Sequence, residues 1–575
     1  MLRPGRRLSD RWSAILTATP AIVIVVVCSI LPLGWMALII LANPSVRSEL
    51  RFDAFRVGLM GRTLGYNAAA AVIATAMGLP AGYVLGRGRG MAARVLWVTI
   101  PAALIMPSLS YAYGWSQFTR IIKPGFRWLG EHPIHIPQIA LLHIHAATYT
   151  FPYEALFRPS GTADVIRCIW SLGSWLWAVP ACLIGLSLRR MDTAVQQQAL
   201  LDGALRRITF RQLLGPIVAS IAIVTVLATQ EFAVYEPTGI SVVATEVRMV
   251  FDTGSVSSIT NSIMQPNPSS QRAGFRSPEQ AGRAAAAVVT AAPLLLATVL
   301  LAIIAGWGAS RSSASDTLQV GDWPPALDAS PMTVKVTWAL IALNIGVPVA
   351  SLFASLSRFS PAIVWKEFSP LVGGALEVAI AAAIVALIAA MSSAGRWTRG
   401  LLSISGASFL VGGQLLAIGL IRIFNHRWLD LIYNTGALAV IAYAGRFGWI
   451  AIGAGRSTWS RPWKELRDVA AVDGAPALQT AAHVIWPLGW PVLLAGGLMV
   501  GALSLTEVPA TVLLMPQNPQ VLTPTLMTWV HMVRYDAMIE ASLLMMATVL
   551  LPAVGAVLLT GFGLRATGRG WARPK

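Results

Sequence analysis

Charge is scarce in this chain: Asp, Glu, Lys and Arg make up 12% of its 575 residues, against about 25% in soluble globular domains. With 55% hydrophobic residues, it has too little polar surface for a water-exposed globule and reads as a polytopic membrane protein. Cysteine is scarcer still. Cys28, Cys168 and Cys182 fall in apolar runs without CxxC or CxxH spacing, which leaves no basis for a disulfide framework or a zinc site and marks them as small core residues. There is no GxxxxGK[ST], and no Gly is followed by Lys anywhere, so the sequence offers no phosphate-cradling loop of its own. Nor does a convergent Asp, His or Ser constellation suggest a membrane enzyme.

The charge that is present is mostly positive, 43 Lys and Arg against 25 Asp and Glu. The arginines stand in short clusters between apolar runs, where the positive-inside bias puts them. The basicity therefore reads as topology and contact with anionic membrane lipid, with no nucleic acid as partner.

A crossing needs about 20 apolar residues. The first run, Ala14 to Leu41, is too long for the core of a cleaved signal and reads as an anchor. Further spans are expected at Thr63–Leu85, Ala92–Trp115, Ile217–Val234, Ala284–Ile304, Val334–Leu356, Leu371–Met391, Leu401–Ile421, Leu429–Ile450, Leu488–Leu505 and Ile539–Leu559. Ile136–Phe157 and Ile166–Leu188 are also apolar, but Arg87, Arg89 and Arg94 and then Arg189, Arg190, Arg206, Arg207 and Arg211 should lie on one side. Parity admits one full crossing there. Ile166–Leu188, ended by two arginines, is the favoured one, Ile136–Phe157 being re-entrant or interfacial, with the reverse assignment open. The expectation is all-α with about 12 transmembrane helices, six in each half, and both termini cytoplasmic.

The halves repeat. QQALLDGALRRITFRQLLGP, Gln197 to Pro216, matches DVAAVDGAPALQTAAHVIWP, Asp468 to Pro487, at a constant offset of 271. Asp202, Gly203 and Ala204 fall on Asp473, Gly474 and Ala475, and the offset also carries Glu236 onto Glu507. Six crossings between the copies put both on one membrane face, so the halves are expected to be parallel repeats rather than inverted ones. Each copy reads as a short Ala-rich helix, a Gly break, and a Pro at the entry to the next span, with Asp202 and Asp473 as caps.

The pattern resembles the EAA loop of binding-protein-dependent ABC importer permeases, a Glu-Ala-Ala start followed by a Gly and then a Leu-Pro ending. The second copy has Asp468, Val469 and Ala470 at the start, then Gly474 and Pro487; the first has Gln197, Gln198 and Ala199, then Gly203 and Pro216. Both starts depart from the family pattern. A single chain holding both halves is similar to the fused ferric-iron permeases, and FPYEALF, Phe151 to Phe157, resembles a Tyr-Pro-Tyr stretch they carry ahead of the loop. The resemblance implies a MetI-like, type I importer permease. It would have a first half at 1–306 with a coupling loop at about 190–216, a cytoplasmic linker at 307–332, and a second half at 333–575 with a coupling loop at about 454–487. It implies no cofactor in this chain, ATP being bound by two separate ATPase subunits, and delivery of substrate by a periplasmic binding protein at the cell inner membrane. Ferric iron is the expected substrate, with thiamine, polyamine or phosphonate as alternatives in the same class and a secondary transporter as the alternative class.

For the path itself, ionisable or polar residues in apolar runs are the candidates. Glu377, Asn67, Glu236 and Glu507 are named on that ground, Glu377 alternatively snorkelling at the outer end of its span. His132, His135, His143 and His145 crowd together, but Pro133 and Pro137 break the helix that would align them, and an interfacial cluster is expected rather than a metal site. The segment Pro237 to Arg283, Ser/Pro/Gln-rich from Ser255, reads as an outer loop that either touches a binding protein or is mobile.

Overall fold

The computed structural model describes residues 17–43, 54–88, 90–132, 134–136, 147–149, 152–189, 198–253, 278–311, 329–356, 361–393, 397–459, 464–515, 519–532 and 535–566. Among them ten helices are long and apolar enough to cross a membrane, or twelve if each of two bent pairs is one span. Apolar side chains such as Leu38, Ile303 and Leu551 stand exposed on these helices, as lipid-facing positions require. The chain is a helical, multi-pass membrane protein.

In order, α1 (Thr17–Ala42) and α2 (Ala54–Arg87) are followed by α3 (Gly90–Ala102), whose last turn tightens through Ala103–Ile105, and α4 (Ser108–Glu131). Strands β1 (Ile134–Ile136) and β2 (Ala147–Tyr149) pair antiparallel, and α5 (Thr162–Arg189) follows. Next come α6 (Leu205–Thr229), α7 (Phe232–Tyr235), α8 (Val243–Thr253) and α9 (Pro278–Arg311). The rest comprises α10 (Pro331–Ala354), α11 (Pro361–Met391), α12 (Thr398–Val411), α13 (Gly413–Phe424), α14 (Ala437–Thr458), α15 (Lys464–Val472), α16 (Ala477–Thr506), α17 (Pro509–Leu514), α18 (Leu522–His531) and α19 (Tyr535–Ala566).

Two expected spans are not straight. Ala92–Trp115 breaks at Met106-Pro107, where α3 and α4 meet at 91°, and Leu401–Ile421 breaks at Gly412, where α12 and α13 meet at 103°. Pro107 has an extended ψ of 131° and no N–H to continue the ladder, and Gly412 adopts φ +94°, a conformation that side chains other than glycine's rarely take. At about 1.5 Å per residue, α3 with its last turn reaches roughly 24 Å before turning, short of the whole hydrocarbon thickness. Between α4 and α5, the stretch expected at Ile136–Phe157 holds β2 and a four-residue helix, Tyr153–Leu156, with 137–146 outside the described residues. Ile166–Leu188 lies within the long helix α5, as favoured. Leu429–Ile450 is displaced to Ala437–Thr458, because Asn434 to Gly436 end a short helix at Asp430–Tyr433.

Close backbone approach holds the helices together, as expected where lipid provides no hydrophobic drive between them. Gly78, Gly82 and Gly86 line one face of α2 at helical spacing, and a Cβ on them would come within 2.9, 2.7 and 2.6 Å of Pro180, Ile184 and Leu188 on α5. Two further contacts join the N-terminal part of the chain to the C-terminal part. Gly419 on α13 lies against Pro32 of α1, and Gly114 on α4 lies against Pro348 of α10.

Both α1 and α10 widen into a π turn, at Val26–Ile30 and Ala342–Gly346, just before that proline. The cause is the missing N–H: Pro32 and Pro348 cannot bond the carbonyls of Cys28 and Asn344 four residues back. The Asn344 carbonyl takes the Tyr111 hydroxyl instead, at 2.7 Å. Among the cysteines, Cys28 and Cys168 are buried and Cys182 is half-buried, all free.

Candidate functional site

Four chain breaks converge on one buried group of charges. Helix α6 stops at Thr229, and the chain turns through Gln230 and Glu231 into α7; α16 stops at Thr506, and Glu507 leads into α17. The Glu507 carboxylate accepts the Ala510 amide at 3.1 Å and so caps the start of α17. Gln230 donates from Nε2 to the Leu410 carbonyl at 2.7 Å, fastening the end of α6 to the end of α12. Its side chain fills the space beside Gly412 that a Cβ would need.

Arg446 enters from α14, its Nε 2.9 Å from Oε2 of Glu507. Both side chains run past Gly413, where a Cβ would collide with the Glu507 carboxylate and the Arg446 guanidinium. Glu231 lies within the electrostatic reach of Arg446 and Glu507, and Ser108, the first residue of α4, hydrogen-bonds it. The three charged residues are each only 4–5% exposed. Two carboxylates against one guanidinium leave an excess of one negative charge if all are ionised. The group is not fully satisfied internally: Oε2 of Glu231, Nη1 of Arg446 and Oε1 of Gln230 are buried without a hydrogen-bond partner. A buried charge so placed costs several kcal/mol or more unless something pairs with it.

A cavity of about 200 Å³ is lined among others by Leu109, Ser116, Arg167, Ala233, Val234 and Met538, and none of Glu231, Arg446 and Glu507 is in its wall. Leu109 adjoins Ser108, and Ala233-Val234 follow Glu231 closely, so the cavity and the charges share chain segments. Arg167 pairs with Asp164 at 3.0 Å.

The second feature is a pair of exposed helix ends. At residues 198–201 a helical turn ends in Asp202-Gly203-Ala204, with Gly203 N–H donating to Leu200 O at 3.2 Å and Ala204 N–H to Ala199 O at 2.9 Å. Helix α15 ends in the same way, Gly474 N–H to Ala471 O at 3.1 Å and Ala475 N–H to Ala470 O at 2.9 Å. These paired bonds form the Schellman motif, and the left-handed φ it needs is +65° at Gly203 and +78° at Gly474. Just before each Asp-Gly stands a bare aliphatic side chain, Leu201 at 82% and Val472 at 86% exposure.

The expected site residues distribute unevenly over these features. Gln197 lies outside the described residues; Ala199 is buried, Asp202 and Gly203 exposed, Ala204 half-buried. Asp468, Asp473 and Gly474 are exposed, and Ala470 and Ala475 half-buried. Asp202 and Asp473 do not cap a helix start: each ends a helix, where the glycine makes the cap, and Asp202 accepts the Gln198 side-chain amide at 3.2 Å. Pro216 is buried inside α6, whereas Pro487 is exposed, just after a π turn at Ala481–Ile485.

Glu236 and Glu507 are not brought together. Glu236 is half-buried at a turn and pairs with Arg248 at 2.7 Å, while the carboxylate placed after α6 as Glu507 is after α16 is Glu231. Asn67 is fully buried, donating to Thr63 O at 2.7 Å and accepting the Tyr235 hydroxyl at 2.8 Å, so it positions α7. Glu377 is exposed on α11. His132 is exposed and stacks on Trp128, and His143 and His145 lie outside the described residues.

Sequence reasoning missed Glu231 and Arg446. Arg446 carried a readable signal, a lone arginine in the apolar run ALAVIAYAGRFGWIAIG. Glu231 carried a weaker one, visible only if five residues are allowed for between the helix ends. Compared with models of protein families, with curated proteins and with solved structures, the chain matches none.

Proposed function

We propose that this chain is the fused transmembrane permease subunit of an ABC importer, with ATP hydrolysed by two separate ATPase subunits that dock on the helix ends at Gly203 and Gly474. The observation that carries the reading is the matched pair of Schellman ends, with the same hydrogen bonds at an offset of 271 and an exposed aliphatic residue at each tip. A helix end stopped by a left-handed glycine presents a rigid, blunt surface, and Leu201 and Val472 supply the apolar contact a partner would cover.

The order of elements supports two parallel six-helix halves joined by a linker, the boundaries expected at 306 and 333 shifting to the end of α9 at Arg311 and the start of α10 at Pro331. In each, a proline-widened first helix precedes a long second helix, a sharply bent third, a fourth, an exposed docking turn, a fifth ending near a buried glutamate, and a sixth. The exchanged packing of α1 on α13 and α10 on α4 couples the halves. ATP-driven closure of the ATPase pair would then move the docking ends and tilt the halves about their shared break points, a rigid-body switch. Substrate would arrive from a periplasmic binding protein at the inner membrane, the termini and docking ends facing the cytoplasm. Ferric iron is the proposed cargo, with thiamine, polyamine or phosphonate behind it.

The buried group at Glu231, Arg446 and Glu507 favours one rival, a secondary transporter, because such proteins place paired charges in the membrane. The two readings separate in one experiment. Purified alone, the chain should hydrolyse no ATP, and with its partner it should hold two ATPase subunits; uptake driven by an ion gradient in liposomes holding this chain alone would support the rival.

A further inference from the structure

Resting on the permease reading, we infer that Glu231 and Glu507 form a binding site for a small cation between the two halves, and that Arg446 is a tethered cation filling that site when no cargo is present. The two carboxylates come from different halves of the chain, at the ends of α6 and α16; the guanidinium from α14 pairs with Glu507, and Glu231 lies within its electrostatic reach. They outnumber it. Oε2 of Glu231 is buried with no hydrogen-bond partner, so part of the acceptor capacity aimed into the group is unused.

The N-terminal ends of α4 and α13, at Ser108 and Gly413, meet the same group, and their positive ends stabilise carboxylates held there. Gly413 leaves the room in which the Glu507 carboxylate and Arg446 pass, and Gly412 and Gln230 hold the bend. A cavity of about 200 Å³ is walled by Leu109 and Ala233-Val234, neighbours in sequence of Ser108 and Glu231, though the charged side chains are not in its wall. An anionic cargo would face two carboxylates for one guanidinium. A cation meets the opposite balance: displacing Arg446 from Glu507, it gains both carboxylates, and the guanidinium is freed as the halves separate.

The test uses the isolated full-length chain in zwitterionic detergent, with terbium(III) luminescence sensitised by protein tryptophan as the probe. Arg446→Ala should bind terbium at least tenfold more tightly than the unaltered chain, and adding Glu231→Gln or Glu507→Gln should return the affinity to the starting level. Guanidinium and spermidine compete in parallel arms: displacement by them at lower concentration than by manganese(II) assigns the site to organic amines, the reverse to metal ions. Arg446→Lys keeps the charge on a shorter reach and guards against a folding failure of the alanine variant; it should give an intermediate gain.

No gain in either Arg446 variant, a gain that survives both glutamine substitutions, or Arg446-dependent binding of methylphosphonate would overturn the inference. No ATPase takes part in the terbium assay, and ATPase docking is read separately by co-purification, so the outcomes separate cleanly. Loss of the terbium gain with ATPase docking intact removes this site alone, whereas a gain without ATPase docking removes the importer reading.

Discussion

Gly413→Ala should be a damaging single-methyl change, because it strikes the buried charges themselves rather than the backbone carbonyls that Gly445 and Gly455 face. The added Cβ has no free space: it falls on the Glu507 carboxylate and 2.5 Å from Nη1 of Arg446. The carboxylate has to leave, which breaks a buried ion pair of 2.9 Å and removes the acceptor for the Ala510 amide. Breaking a buried pair by displacing one partner costs about 3–5 kcal/mol. Gly203→Ala is the natural comparison, because nothing lies within 4 Å of its Cβ and only the φ of +65° is penalised, a cost of about 1–2 kcal/mol.

Unfolding titrations in mixed detergent–dodecyl sulfate micelles would measure both. Gly413→Ala should lose at least twice as much stability as Gly203→Ala, and the loss should shrink by more than about 1.5 kcal/mol when Glu507 is already Ala, as coupled neighbours require. A Gly413→Ala protein within about 1 kcal/mol of the unaltered chain, or strict additivity with Glu507→Ala, would refute the tight passage of charges past this glycine.

Gly474→Arg should release the ATPase more completely than Gly203→Arg, since the second docking turn keeps an acidic start at Asp468; co-purification at equal membrane abundance checks it, and equal losses count against the asymmetry. Val472→Asp should weaken ATPase association while changing stability by less than about 0.5 kcal/mol, as an exposed substitution does, read in the same two assays. Asn67→Ala leaves the Tyr235 hydroxyl buried without its acceptor and should cost about 1–3 kcal/mol; a Tyr235→Phe background should recover most of that loss. Gly82→Val forces a side chain into Ile184 at the α2–α5 contact and should destabilise by about 1–3 kcal/mol in the same titration.

The membrane character and nearly every crossing were legible from apolar run length, because a helix in lipid has to be long and continuous in apolar residues. The bends were not. Pro107 and Gly412 interrupt runs that hydropathy reads as unbroken, and whether such an interruption becomes a right-angle turn depends on what packs into it, here Ser108 on Glu231 and Gln230 beside Gly412.

The two exposed Schellman turns were legible in position, since Asp-Gly-Ala recurs at a fixed offset, but the role given to the aspartates was not, because a Schellman end is written in the glycine's φ. The constant offset also misled. It was carried past α6 and α16, whose ends at Thr229 and Thr506 stand 277 positions apart (506 − 229), not 271, and it selected Glu236, which pairs locally with Arg248, in place of Glu231. Arg446 could be read as anomalous in its apolar run, yet its partner lies 61 positions further along the chain, and only folding brings the two together.

Cross-linking from the two docking tips tests the importer account most directly. The native cysteines are buried or half-buried, so Leu201→Cys and Val472→Cys introduce reactive thiols at the most exposed points of the two turns. In membranes that contain the partner ATPase, each should form a short-span cross-link to an ATPase subunit, the double variant should capture two copies, and ATP should change the yield at both positions. Failure of both tips to reach an ATPase, with the chain folded and ATP hydrolysis or ion-driven uptake found in the purified chain alone, would contradict the account.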